Sequence, residues 1–206
     1  AASAGNWIMR HEPEIWARTA KYVMLPTYLN YKLTGNLIDS ASNQIGHIPF
    51  DYKNRRWMKP GSLTRCFCDV PNEKLCDLVP SGTVIGTVTE EVSALTGIPA
   101  GLPLISTGSD KGCETLGLAV VDSDKASISL GTTATIQFST TQYVEPQQFL
   151  PAYPGVLNDH YNPEIEIYRG LWLLSWFVKE FGTADAIDAK EMGMAPEALL
   201  DQRIRD

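Results

Sequence analysis

Two short segments hold residue types that could carry out group transfer. The first, Thr107-Gly-Ser-Asp-Lys-Gly-Cys-Glu-Thr-Leu-Gly117, delivers a single carboxylate, Asp110, on a Gly-Ser approach. The second, Ser127-Ile-Ser-Leu-Gly-Thr-Thr-Ala-Thr-Ile136, sets Gly131, Thr132 and Thr133 between two alternating runs. A carboxylate can take the proton of a substrate hydroxyl. A Gly-Thr-Thr turn clusters N–H and O–H donors of the kind that phosphate oxygens accept. Together these are parts of a phosphotransferase, a base for a hydroxyl and a backbone cradle for phosphate.

The elements around them must position both parts. Leu102-Pro-Leu-Ile-Ser-Thr107 is a short apolar run bounded by Pro and Gly, which predicts a buried strand, and residues 111–120 show the small and apolar spacing of a packed helix. Asp110 then falls at a strand-to-helix switch, where open α/β sheets bind their ligands. The local pattern alone favours a plainer role, with Asp110 as the helix N-cap. Residues 126–130 and 134–138 alternate in polarity and are β-rich, so Gly131-Thr-Thr133 reads as the turn of a hairpin, a motif common to many unrelated proteins.

Beyond these segments, the sequence resembles the FGGY carbohydrate kinases, the xylulokinase and glycerol kinase group of the actin-like ATPase superfamily. Trp7-Ile-Met-Arg-His-Glu-Pro-Glu-Ile-Trp16, Leu25-Pro-Thr-Tyr-Leu-Asn-Tyr-Lys-Leu-Thr-Gly35, Ile38-Asp-Ser-Ala-Ser-Asn43 and Phe50-Asp51 carry the resemblance first. Leu78-Val-Pro-Ser-Gly-Thr-Val-Ile-Gly-Thr-Val88, Leu95-Thr-Gly-Ile-Pro-Ala-Gly-Leu-Pro103, the segment from Gly108 to Asp110 and Ser129-Leu-Gly-Thr-Thr133 continue it in order.

The resemblance implies an α/β, actin-like (ribonuclease H-like) fold, here partial. Residues 1–122 correspond to the later part of the sugar-binding N-terminal domain, and residues 123–206 to the start of the nucleotide-binding C-terminal domain. It implies ATP-dependent phosphorylation of a sugar or polyol hydroxyl, with Asp110 as general base and Gly131, Thr132 and Thr133 at the ATP phosphates. ATP is the implied nucleotide, and Mg²⁺ arrives with it rather than on a dedicated protein site. The implied setting is cytoplasmic, without nucleic acid or membrane, and a homodimer is left open.

The residue after the base commonly contacts substrate in this family and is usually an amide. Here it is Lys111. An ammonium only donates and adds positive charge beside the carboxylate, so one reading is a substrate with a negative group. The other is that Lys111 points into solvent along the first helical turn.

The resemblance covers only part of such an enzyme. Nothing like an Asp-Gly-Thr phosphate loop precedes Trp7, and no Gly-Gly pair of an adenosine-binding segment occurs. The expectation is a central fragment, with a sugar-binding module that lacks catalysis as the alternative and an actin-like ATPase without a sugar substrate as a third reading.

Composition sets the remaining bounds. At 206 residues, 44% hydrophobic and 20% charged, the chain can bury a sizeable core. A net charge of −7 with scattered Lys and Arg gives no footprint for nucleic acid or anionic lipid. Lys53-Asn-Arg-Arg56, the densest basic spot, reads as a solvated turn. No apolar run approaches the ~20 residues of a spanning helix, and the first residues carry no signal-peptide pattern. Cys66, Cys68, Cys76 and Cys113 have no zinc or redox spacing and read as free thiols, Cys113 in buried packing. His11, His47 and His160 are too dispersed for a metal site.

Helical signals cover residues 13–22 and 26–33, the latter stopped at Gly35, and the segment 39–43 reads as an Asx and Ser turn scaffold. A strand at 83–88 and a helix at 90–95 stopped by Gly97 continue the α/β alternation. A strand at 165–167 and an aromatic helix from Gly170 to Gly182, read as core, precede a helix-prone tail.

Overall fold

The structure, a computed structural model, describes residues 3–46, 48–148 and 150–205, so His47 of the dispersed histidines lies outside it. The described chain forms two compact units, residues 1–127 with 138–164, and residues 128–137 with 165–206.

The first unit opens with helices α1 (Ala4–His11), α2 (Pro13–Arg18) and α3 (Leu25–Thr34). Ser3 caps α1 by accepting the Asn6 N–H. The second expected helix forms as read, with Pro26 in its first turn and Gly35 closing it at φ 80°, a left-handed conformation that favours glycine. The first stops at Arg18, short of the expected 22, because Thr19 turns extended and ends the ladder.

Strand β1 (Ile38–Ser40) pairs in parallel with β4 (Asp77–Val79), Asp39 opposite Leu78. Between them lie the hairpin β2 (Phe50–Asp51) and β3 (Arg56–Trp57) and three 3₁₀ turns, Ala41–Asn43, Leu63–Phe67 and Asn72–Lys74. Cys68, Val70 and Leu75 form a buried cluster with Trp16, Tyr22 and Trp57 against it. Phe50 is fully buried, with the rings of Tyr52 and Trp57 edge-on at 5.2 and 5.6 Å. Arg65, only 4% exposed, holds the connection by donating to the carbonyls of Met58 and Val70 and to Asn72 and Asp69. A buried guanidinium is tolerated because each of its three nitrogens donates a hydrogen bond.

Strand β5 (Val84–Thr87) pairs antiparallel with β6 (Pro103–Ile105) through a bulge between Val84 and Gly86. Helix α4 (Glu90–Thr96) lies between them, capped by Thr89 and ended by Gly97 at φ 78°. Strand β6 is shorter than expected and not buried, with Ile105 51% exposed. Helix α5 (Asp110–Gly117) follows, and β9 (Tyr153–Pro154) with β10 (Tyr161–Asn162) closes this unit as a short antiparallel pair.

The second unit is built on a three-stranded sheet, with β8 (Ala134–Phe138) between β7 (Ala126–Leu130) and β11 (Glu164–Ile167). Strands β7 and β8 have the bounds read from their alternation. Helices α6 (Trp172–Phe181), α7 (Thr183–Met192) and α8 (Pro196–Arg205) pack on one another. Arg203 of α8 joins α7 through Asp185 and Asp188. The reading of α6 as core needs correction, because Trp172, Leu173, Leu174, Trp176, Phe177 and Phe181 are each between 38% and 68% exposed. Apolar spacing marks a face that wants burial, yet the described chain supplies no layer to cover it.

Among the described residues, no helix is long and apolar enough to cross a membrane, and no group of three or more His, Cys, Asp or Glu is placed to hold a metal ion.

Candidate active site

Asp110 is the first residue of α5 and lies exposed. It is not the N-cap that the local pattern favours. Ser109 takes that role, its Oγ accepting the Gly112 N–H at 3.1 Å while its carbonyl accepts the Cys113 N–H at 2.9 Å. Two neighbouring residues could cap, and the extended one (φ −62°, ψ 160°) is Ser109. The Asp110 carboxylate therefore stays outward, with Oδ1 accepting only the adjacent Lys111 N–H, at 2.8 Å, among the described hydrogen bonds.

The Lys111 ammonium turns along the helix to Glu114, Nζ to Oε2 3.1 Å. This is the i,i+3 spacing at which helical side chains meet. Cys113, expected in buried packing, is exposed, with its Sγ 3.6 Å from the Gly108 carbonyl, because it falls on the outer face of the helix. The inner face is taken by Gly112 and Thr115, both buried.

The approach to Asp110 is tightly packed. A Cβ on Gly108 would lie 2.7 Å from Val156 Cγ2 and 3.4 Å from Ser42 Cβ, so a side chain there would force a neighbour to move. Ser42 comes from the 3₁₀ turn Ala41–Asn43 that follows β1. Asp39, 2% exposed, anchors that turn: its carboxylate accepts the Thr27 hydroxyl at 2.6 Å, the Ser40 N–H at 2.7 Å and the Asn43 amide at 3.2 Å. This is the turn scaffold expected of residues 39–43.

Arg55, read as part of a solvated turn, is more than that. It sits at φ 53°, donates to the Asn158 and His160 carbonyls, and stacks 4.2 Å over the Tyr161 ring. No local pattern signals these contacts, which span about half the chain.

In the second unit, Gly131, Thr132 and Thr133 form the turn between β7 and β8. The Gly131 N–H donates to the Thr133 carbonyl at 3.0 Å. The Gly131 carbonyl accepts the Leu171 N–H at 3.1 Å, and the Thr132 carbonyl accepts the Gly170 N–H at 2.8 Å and the Trp172 indole at 3.3 Å. All three carbonyls of the turn are thus engaged within the protein. Gly131 and Thr132 are exposed. A Cβ on Gly170 would collide with the Gly131 carbonyl, so glycine is required at this close approach.

Comparison with known proteins agrees with this architecture. Residues 2–117 match the model of the N-terminal domain of the FGGY family of carbohydrate kinases. The chain is 32% identical over 177 residues to an uncharacterised sugar kinase, YgcE, of Escherichia coli K12, covering 85% of this chain and 36% of that protein. It is 28% identical over 181 residues to the xylulose kinase of the same strain, covering 87% and 36%. Its fold matches a crystal structure of ligand-bound xylulose kinase from Lactobacillus acidophilus with a TM-score of 0.76 at 21% identity, over 95% of this chain and 38% of that one. The chain thus spans little more than a third of the relatives it matches, sharing part of their mixed α/β, actin-like fold. With the family model matched over more than half of its length, this chain belongs to the FGGY family of carbohydrate kinases.

Proposed function

We propose that this chain provides part of an ATP-dependent sugar or polyol kinase, with Asp110 as its general base. The observation that carries the reading is the release of Asp110 from capping: Ser109 satisfies the helix terminus, which leaves an exposed carboxylate at a strand-to-helix switch. Residues 1–122 then belong to the sugar-binding domain, a division supported by the family match over 2–117, and residues 123–206 begin the nucleotide-binding one.

Asp110 accepts the proton as the substrate hydroxyl oxygen bonds to the terminal phosphorus of ATP and the bond to the ADP oxygen breaks. Lys111 follows the base in the chain, with its ammonium held along the helix by Glu114. The turn of Gly131, Thr132 and Thr133 holds phosphate oxygens. Its engaged carbonyls support this, because what the exposed turn has left to offer is richer in N–H and O–H donors, which suit an anion. Mg²⁺ enters with the nucleotide and offsets its charge.

A second reading, a sugar-binding unit without catalysis, rests on the family match, which covers residues 2–117 and is to the family's N-terminal domain. Assay of the purified chain against a panel of ketoses and polyols separates the two. Sugar-dependent ADP release with formation of a phosphorylated sugar supports the kinase, whereas sugar binding by calorimetry without ADP release supports the binding unit.

A further inference from the structure

The turn that presents Asp110 is held from beneath by hydroxyls brought together from two separate segments. Ser81, 8% exposed, has its Oγ 2.9 Å from Ser40 Oγ, 3.0 Å from Ser42 Oγ and 3.0 Å from the Thr107 carbonyl. Ser42, 4% exposed, donates its hydroxyl to the Gly155 carbonyl at 2.6 Å. Its own carbonyl accepts the Ser109 N–H at 3.0 Å.

Each hydroxyl has one proton to give, which orients the cluster. The Ser42 proton is committed to Gly155, so Ser40 donates to Ser81, and the Ser81 proton is left for the Thr107 carbonyl and Ser42 Oγ. The backbone is pinned on both sides of Gly108, at Thr107 by the Ser81 hydroxyl and at Ser109 by the Ser42 carbonyl, whose residue the Ser42 hydroxyl ties to Gly155. A side chain at Gly108 would meet Val156 Cγ2 at 2.7 Å, so the turn keeps glycine between its two pins. Asp110 is exposed, so its place is set by this turn rather than by packing of its own side chain.

We propose that Ser42 and Ser81 are positioning residues for the Asp110 carboxylate, fixing the turn from which it meets the substrate hydroxyl. The inference rests on the reading of Asp110 as general base. A base displaced by about 1 Å can lose roughly 100-fold in rate even when the substitution lies away from the chemistry.

The test uses Ser81→Ala, which removes the bond at Thr107, and Ser42→Ala, which frees from Gly155 and Ser81 the residue whose carbonyl holds Ser109, with Ser81→Thr as the variant that retains a hydroxyl. Amide hydrogen exchange over residues 107–112 is compared with the rest of the first unit, and kcat and KM of sugar-dependent ATP turnover are normalised to the folded fraction. The alanine variants are expected to exchange about tenfold faster at Ser109 and Gly112 with little change elsewhere. They are expected to lose about 10- to 100-fold in kcat with KM within about threefold, and Ser81→Thr to recover most of the kcat. Unchanged local exchange overturns the tether. Faster exchange with unchanged kcat, or a lower Tm with full kcat in the folded fraction, reduces these serines to a structural role and overturns the proposal. A wild type without turnover on any sugar refutes the base itself and the positioning role with it, and the exchange result tells that failure apart from a failed tether.

Discussion

Replacing Thr27 by Val probes the anchor on which the site is built. Thr27 is fully buried, and its hydroxyl donates at 2.6 Å to Asp39, itself 2% exposed in the middle of β1. Valine keeps the volume and removes the donor, so the buried carboxylate loses one of its partners while the Ser40 N–H and the Asn43 amide remain. Leaving a buried charged acceptor one donor short costs about 2 kcal/mol. For a protein of this size, roughly 2–4 °C per kcal/mol converts this to a Tm lowered by about 4–8 °C. Thr27→Ser keeps the hydroxyl and removes a methyl group, for which about 0.8 kcal/mol and a smaller shift are expected. Thermal unfolding followed by circular dichroism reads both. A Thr27→Val shift under about 1 °C, or a Thr27→Ser variant as damaged as Thr27→Val, would show that the methyl packs and the hydroxyl bond contributes nothing, contrary to the reasoning.

Further outcomes follow from other parts of the structure. Gly108→Ala forces a methyl group against Val156 and Ser42, and a destabilisation of about 1–3 kcal/mol is expected in urea unfolding; an unaffected midpoint would show that the close approach yields easily. A native-state thiol titration should modify Cys66 and Cys113, with Cys68 and Cys76 reacting only after unfolding. Burial pushes the Cys76 thiol up to about 11 from an ordinary 9.0. The unfolded chain therefore releases this proton first, so the stability held by the neutral thiol is full below pH 9.0 and declines as pH rises toward about 11. Cys76→Ala should make that alkaline decline shallower, and an identical decline would exclude Cys76 as its source. Lys111→Asn should leave kcat/KM on neutral ketoses within about threefold, because the Glu114 pairing that holds the ammonium along the helix is worth only about 0.3–0.5 kcal/mol and its loss reaches no substrate. A larger rise would show that the ammonium reaches the sugar.

The parts of this fold legible in the sequence are those fixed by local chemistry. Glycine stops at Gly35 and Gly97 form because each requires a left-handed residue, and the hairpin of β7 and β8 follows from strict alternation around Gly131. Misreadings arise where two local solutions compete or where a partner decides. Ser109 and Asp110 are both cap residues, and only the backbone at the turn selects Ser109. Cys113 and the aromatic face of α6 have core-like neighbours in sequence, yet burial depends on what lies opposite, which local spacing does not specify. The contacts that join the Ser40 and Ser42 hydroxyls to Ser81 and the Arg55 guanidinium to His160 show no pattern in the sequence, since they are made by tertiary approach. Asp110 itself stands out in the sequence mainly because the segments around it resemble one family in order.

The most direct measurement is the kcat of Asp110→Asn in the sugar-dependent ATP assay, with sugar affinity measured in parallel. Loss of a general base predicts a fall of about 10²–10⁴-fold in kcat with sugar affinity changed by no more than a few-fold. An Asp110→Asn variant that keeps kcat within about threefold of the wild type would contradict the assignment of Asp110 as the base.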